Sequence, residues 1–214
     1  MARTTRQEPQ SRRLFYFPII HNQADMGALS DSIRQASMKK LGRSGWNRKI
    51  DLIDKLWTET EKSVEQLSVP LNRVRIYQDG LPVSGEEKNL VAELAKTGSR
   101  NHALILRLMN AGATVMGTES LELLLQEYEL AKRDLGSERP GGLKTSDKVK
   151  RASLLSRRDQ FIAKRINDTL LLGEIGIIFL GMLHYLEPWL DKDIEVVYPI
   201  HRPLRERWTH AYPP

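Results

Sequence analysis

The chain has no cysteine, which removes disulfides, thiolate-bound zinc, iron–sulfur clusters and thiol nucleophiles from consideration. It also lacks a hydrophobic run long enough to span a bilayer. The most apolar stretch, residues 170–183, is too short and carries Glu174. Met1 to Glu8 is positively charged, but no apolar segment follows it, so no secretory leader and no membrane attachment are expected. Absent cysteine suits a reducing compartment, and the expected location is cytoplasmic. Neither a Gly-x-Gly-x-x-Gly nor a Walker glycine loop occurs, which counts against dinucleotides and nucleoside triphosphates. Ser120 follows Glu119 without the glycines of a nucleophile elbow. No internal repeat is found.

What remains is an ordinary globular composition. With 214 residues, 40% hydrophobic and 28% charged, the chain can bury one sizeable core. Its net charge of +6 is concentrated near the start and between Lys144 and Arg158. Such an excess can attract polyanions, although a solvated surface is the commoner meaning.

Glu174 to Leu180 is apolar and β-branched with no polar alternation, as expected of a strand covered on both faces. Leu14 to Ile20 has the same character and ends at His21, while the later strand ends at Gly181 and then His184. Strands are also expected at residues 72–77, 113–116 and 194–198. The first of these, 72–77, alternates polar and apolar residues and so is expected near a sheet edge. Helical spacing of Ile50, Ile53, Leu56, Trp57, Val64 and Leu67 predicts a helix stopped by Pro70. The preceding residues 30–45 read as a short helix or a flap. Further helices are expected from about 85 to 97, after Ser99, after Glu119 and from near Val149. The expected fold is α/β, a mostly parallel sheet of about five strands with helices on both faces, in a single domain. Residues 1–12 read as a disordered basic tail, 13–201 as the domain, 134–148 as a mobile loop, and 202–214 as an irregular tail.

Parallel sheets of this kind bind ligands at the carboxyl ends of their strands. Those ends carry His21 with Asp25, then Asp79, Glu119, His184 and His201. Histidines and carboxylates on one rim suit a borderline divalent metal such as zinc or manganese, with His21, Asp79, Glu119 and His184 as its ligands. Without a metal, a carboxylate can orient a histidine as general base. Each residue also has a plainer meaning: Asp79 before Gly80 as a turn residue, Glu119 or Ser120 as a helix cap. Arg158 shares a helix face with Phe161, Ile162 and Arg165, which marks it as snorkelling or anion-binding, whereas Arg157 and Asp159 are expected to face water.

At Arg158-Asp159-Gln160-Phe161-Ile162-Ala163 and Gly181-Met182-Leu183-His184 the chain resembles the TraB/Tiki and erythromycin-esterase/ChaN-like superfamily. The resemblance implies His184 and the early His21 as site histidines, Glu119 as an acid and Arg158 as an anion-facing arginine. It departs from the family where His21 follows Pro18-Ile19-Ile20 without an early glycine, and where Gly117-Thr118-Glu119 lacks a histidine. The superfamily includes proposed metal-dependent proteases, esterases and haem-binding proteins.

The favoured expectation is a metal-dependent or His/Glu-dependent hydrolase with His21, Glu119, Arg158 and His184 in the reaction, acting on a small-molecule or peptide substrate. A second is a non-catalytic protein that binds nucleic acid or a protein partner through Lys144, Lys148, Lys150, Arg151, Arg157 and Arg158. A third is a haem binder with His21 or His184 as axial ligand.

Overall fold

The computed structural model describes residues 11–20, 30–135 and 145–200. Five strands form one all-parallel sheet: β1 (Arg12–Ile19), β2 (Val74–Gln78), β3 (Thr114–Met116), β4 (Ile175–Gly181) and β5 (Ile194–Val197), in the order β3-β2-β4-β1-β5. The helices are α1 (Ser30–Glu65), α2 (Glu87–Lys96), α3 (Arg100–Asn110), α4 (Leu121–Leu135) and α5 (Thr145–Thr169). They make a single domain of the expected α/β class.

β1 from Leu14 onward and β4 throughout carry no charged residue, because both of their faces are covered. In register, Tyr16 lies beside Ile178 and Phe17 beside Phe179. Successive residues of a strand point to opposite faces, so the two pairs feed two different cores. Phe17, Ile76, Ile177 and Phe179 pack with Ile53 and Trp57 of α1, Val91 of α2 and Leu104 of α3. Leu14, Tyr16, Ile178 and Leu180 pack with Ile162, Ile166 and Leu170 of α5. Right-handed crossovers that run one way along a sheet put their helices on one face, and those that run back use the other. Here β1→β2→β3 runs one way, and β3→β4→β5 returns.

That reversal locates the site. The chain leaves β2 toward β3 and leaves β4 toward β5, and β2 and β4 are neighbours. Their outgoing connections therefore diverge and open a crevice above the ends of the two strands, the topological switch point at which sheets of this type hold ligands.

Three expectations need correcting. β2 is an interior strand, flanked by β3 and β4, rather than an edge. Its polar Arg75 is accommodated by a two-pronged ion pair with Glu174, Nε to Oε2 at 2.9 Å and Nη2 to Oε1 at 2.7 Å. Arg12 belongs to β1 and not to a tail. It is buried, bonded to Asp191 and Asp193 and to the carbonyls of Asn167 and Leu170, a constellation that distant residues complete. Residues 145–148 begin α5 instead of ending a loop. Of the two readings of residues 30–45, the helix holds: they form the first part of α1, broken at Gly42, whose φ of 66° falls in the left-handed region that glycine tolerates. The proposed tail residues 1–10 and 202–214, and the loop residues 136–144, lie outside the described residues.

Candidate functional site

Three short segments bring polar side chains to the β2–β4 crevice. Asp79 begins the turn after β2. Its amide donates to the Phe179 carbonyl at 2.9 Å, and its Oδ2 accepts from the Gly181 amide at 2.8 Å. The side chain is thus pinned across to β4. Glu119 sits in the β3–α4 loop, which is clipped to residues 81–83 by Thr118 N and Glu119 N to Leu81 O and by Val83 N to Glu119 O. His184 follows β4 in a turn closed by its amide on Gly181 O at 3.0 Å. All three are buried.

Gly117 makes the close approach of this loop feasible. A Cβ there would meet the Val83 Cα at 2.7 Å and Glu87 Oε1 at 2.6 Å. The Val83 contact is backbone, so the loop itself must shift. Gly117→Ala is therefore expected to cost about 1–3 kcal/mol of stability, as overpacked sites do, and to displace Glu119. Chemical denaturation checks the first effect, and the activity assays described below check the second.

The α5 residues Arg158 and Asp159 complete the site from above. Arg158 donates through Nε to Glu119 Oε2 at 2.8 Å and through Nη2 to both Glu119 Oε1 and Asp79 Oδ1, while Nη1 reaches Glu127. The anions that this arginine faces are the protein's own carboxylates. Asp159 lies on the opposite side of the histidine. Its Oδ1 is bonded to His184 Nδ1, and its Oδ2 accepts the Tyr185 amide at 3.2 Å. An ionised carboxylate only accepts, so Nδ1 carries the proton, and in the neutral ring Nε2 presents a lone pair. That Nε2 lies 3.6 Å from Asp79 Oδ2. Glu119 contributes an oxygen, and the three ligand atoms of Asp79, Glu119 and His184 all lie within 4.8 Å of one another. These residues form a buried group that could hold a metal ion.

The charges are unbalanced. Asp79, Glu119 and Glu127 face the single guanidinium of Arg158, and Asp159 faces His184, so the carboxylates outnumber the cations of the cluster even when His184 is charged. Burial raises the Glu119 carboxyl above its usual range, with Arg158 pulling it down and Asp79 pushing it up. Burial also raises Asp159, against the pull of His184. Burial alone would lower the imidazole of His184, but Asp79 and Asp159 outweigh it and hold the pKa above the ordinary value. A histidine whose folded-state pKa is raised contributes stability that is complete below the unfolded value, near 6.5, and is lost as pH rises through the folded value. Raised carboxyls shift stability in the same direction at lower pH. Metal-free protein should therefore melt at progressively lower temperature as pH is raised from below about 6.5 to beyond the His184 transition. Repeating the series with His184→Gln should flatten that segment.

Of the expected residues, Asp79, Glu119, Arg158 and His184 come together here. His21, Asp25 and His201 lie outside the described residues. Asp159, expected to face water, is instead buried against the histidine, the member of this cluster not expected from the sequence. Its signal was present: it stands four residues after Leu155, three before Ile162 and seven before Ile166, on their apolar stripe. Ser120 is the helix cap, accepting from the Leu123 amide, which frees Glu119 for the site. The supposed basic surface of α5 is interrupted, since Arg158 is turned inward and Arg151 lines the cleft beside it.

The site opens into a cleft of about 640 Å³ above the strand ends, within the range of small-molecule pockets. Among the described residues, no helix is long and apolar enough to cross a membrane. No protein-family model, curated protein or solved structure matches the chain.

Proposed function

We propose that the protein is a hydrolase that activates water at Asp79, Glu119 and His184 with a divalent metal, zinc or manganese. The observation that carries this reading is the pair His184 Nε2 and Asp79 Oδ2, buried and 3.6 Å apart with a carboxylate fixing the other ring nitrogen. That separation is too long for a hydrogen bond. It is close to the ~3.4 Å between two ligands of one tetrahedral centre with bonds near 2.1 Å. The Asp159–His184 pairing is also the usual outer support of a metal-bound histidine, setting its tautomer and raising its basicity.

A bound divalent ion supplies Lewis acidity and makes water nucleophilic near neutral pH. The chain's own part is to orient. Asp159 holds the imidazole, Gly181 and Arg158 hold Asp79, and Arg158 keeps Glu119 from repelling Asp79. A metal-free variant of the same reading has His184 take the proton from water while Asp159 stabilises the imidazolium that forms. The engagement of both Glu119 oxygens by Arg158 favours that variant, because it leaves the glutamate less available to an ion.

The test is metal analysis of purified protein and of zinc- and manganese-loaded protein, with ester, peptide and phosphoester hydrolysis assayed before and after chelation. Stoichiometric metal that is lost in His184→Ala, with chelator-sensitive hydrolysis, supports the metal reading. Hydrolysis that survives chelation but not His184→Ala supports the metal-free one. A folded protein that neither retains metal nor hydrolyses any of the three classes rules out both.

A further inference from the structure

The chemistry at the strand ends occupies only one corner of the cleft, and the rest of its lining has a different character. Ile19 and Ile20 at the end of β1, Leu94 of α2, Leu124 and Tyr128 of α4 and Leu155 of α5 form apolar walls. Met182 and Leu183, the two residues between Gly181 and His184, line the same space. Leu183 is 55% exposed and Met182 38%. Two large apolar side chains at the surface, immediately beside a buried ionisable cluster, have no role in the core. Cations stand on the walls as well: Lys49 of α1 and Arg151 of α5 both line the cleft, and Lys49 is exposed. Arg158 is engaged by Asp79, Glu119 and Glu127, which line the cleft or back it, and Arg151 donates to the Leu130 carbonyl at 3.2 Å, so exposed Lys49 is the cation of the lining that faces solvent.

We infer that the substrate is an ester or amide of a long apolar acyl chain that carries an anionic group, the chain lying against Leu124, Tyr128, Leu155 and Leu183 and the anion meeting Lys49. The inference rests on the hydrolase reading for the identity of the bond cleaved, but the binding it describes is independent of catalysis. Apolar walls supply affinity in proportion to the area removed from water, while a few charged groups fix orientation. A cation on the wall selects an anionic amphiphile over a neutral one of equal length. Hydrolysis adds water across the acyl bond, its oxygen forming the new C–O bond and its proton going to the departing alcohol or amine. The product is then a free fatty acid, itself an anionic amphiphile.

Dodecanoate is therefore a suitable probe, since it contains no bond to cleave. Calorimetric titration of the full chain with dodecanoate, dodecanol and butyrate should show dodecanoate binding best, with a negative heat-capacity change. Leu183→Asp, at an exposed position where folding is not at risk, and Leu155→Asp should each weaken dodecanoate by about tenfold or more. Lys49→Glu should weaken dodecanoate and leave dodecanol unchanged. Failure of folded wild-type protein to bind dodecanoate, or binding indifferent to all three substitutions, overturns the inference. Hydrolysis confined to short, uncharged esters overturns it too, while leaving the hydrolase reading intact. Tight, substitution-sensitive binding without any hydrolysis does the reverse.

Discussion

Arg158→Ala is expected to destabilise the fold by about 3–5 kcal/mol, the usual cost of removing one partner from a buried ion pair. The reason is what it leaves behind. Glu119 is fully buried and Asp79 nearly so, and Arg158 supplies the charge opposite both. Glu127 is half-exposed and gains little from the pair, so its loss adds almost nothing. Arg158→Lys should recover only part of the deficit, because an ammonium cannot present the planar fork that reaches two carboxylates together. Urea denaturation at neutral pH reads the effect. Two controls separate it from a simple loss of packing. Acidification should restore part of the variant's stability as the stranded carboxyls take up protons. Adding Glu119→Gln to Arg158→Ala should cost less than the sum of the two single changes, since a neutral amide no longer needs the arginine. If the double change is strictly additive, the pair is not the source of the stability.

Asp159→Asn is the second large effect, and it falls on function. Asp159 accepts from two donors, His184 Nδ1 and the Tyr185 amide, with a different oxygen for each. Asparagine keeps the size and one acceptor but must aim an NH₂ at one of those donors. Either the imidazole turns to its other tautomer, or the turn that carries it is disturbed. In both cases Nε2 no longer presents a lone pair to Asp79. Metal affinity should fall about 10- to 100-fold, as it does when the outer partner of a ligating histidine is removed. If His184 acts as general base without metal, turnover should drop about 10²–10⁴-fold. A pH–rate profile tells this from a merely structural loss. In wild type the activity should rise as His184 becomes neutral, above the ordinary histidine range, and the variant should move that limb to lower pH because a negative neighbour is gone. An unmoved limb with reduced amplitude would argue that Asp159 only props the turn.

The legibility of this protein from its residues divides along sequence distance. β1 and β4 were readable because burial on both faces leaves an unbroken apolar run, and Asp79, Glu119 and His184 stood out because each interrupts the apolar pattern where a strand ends. Those are local signals. Arg12 looked like part of a basic tail because the Asp191 and Asp193 that hold it lie at the far end of the described domain. β2 looked like an edge because Arg75 breaks its apolar pattern, and Glu174, which neutralises it, arrives only just before β4. The role of Asp159 was hidden for a different reason. Charge was weighed above position, so its place on the Leu155–Ile162–Ile166 stripe was discounted. Strand order lay beyond any local reading, and with it the fact that Asp79 after β2 and His184 after β4 stand on neighbouring strands.

The pinning of Asp79 to β4 has a consequence for how the site comes apart. Its backbone amide is bonded to the Phe179 carbonyl and its carboxylate to the Gly181 amide, so a single residue is stitched to the neighbouring strand by main chain and side chain together. Both strands lie inside the sheet, flanked by others. The amide protons of Asp79 and Gly181 can then reach solvent only when the centre of the sheet parts, not by fraying of a loop. Hydrogen exchange at these two positions should report the global unfolding free energy. On gradual denaturation, the Asp79–Glu119–His184 site and the sheet should therefore disappear in one transition, with no partially opened native form preceding it.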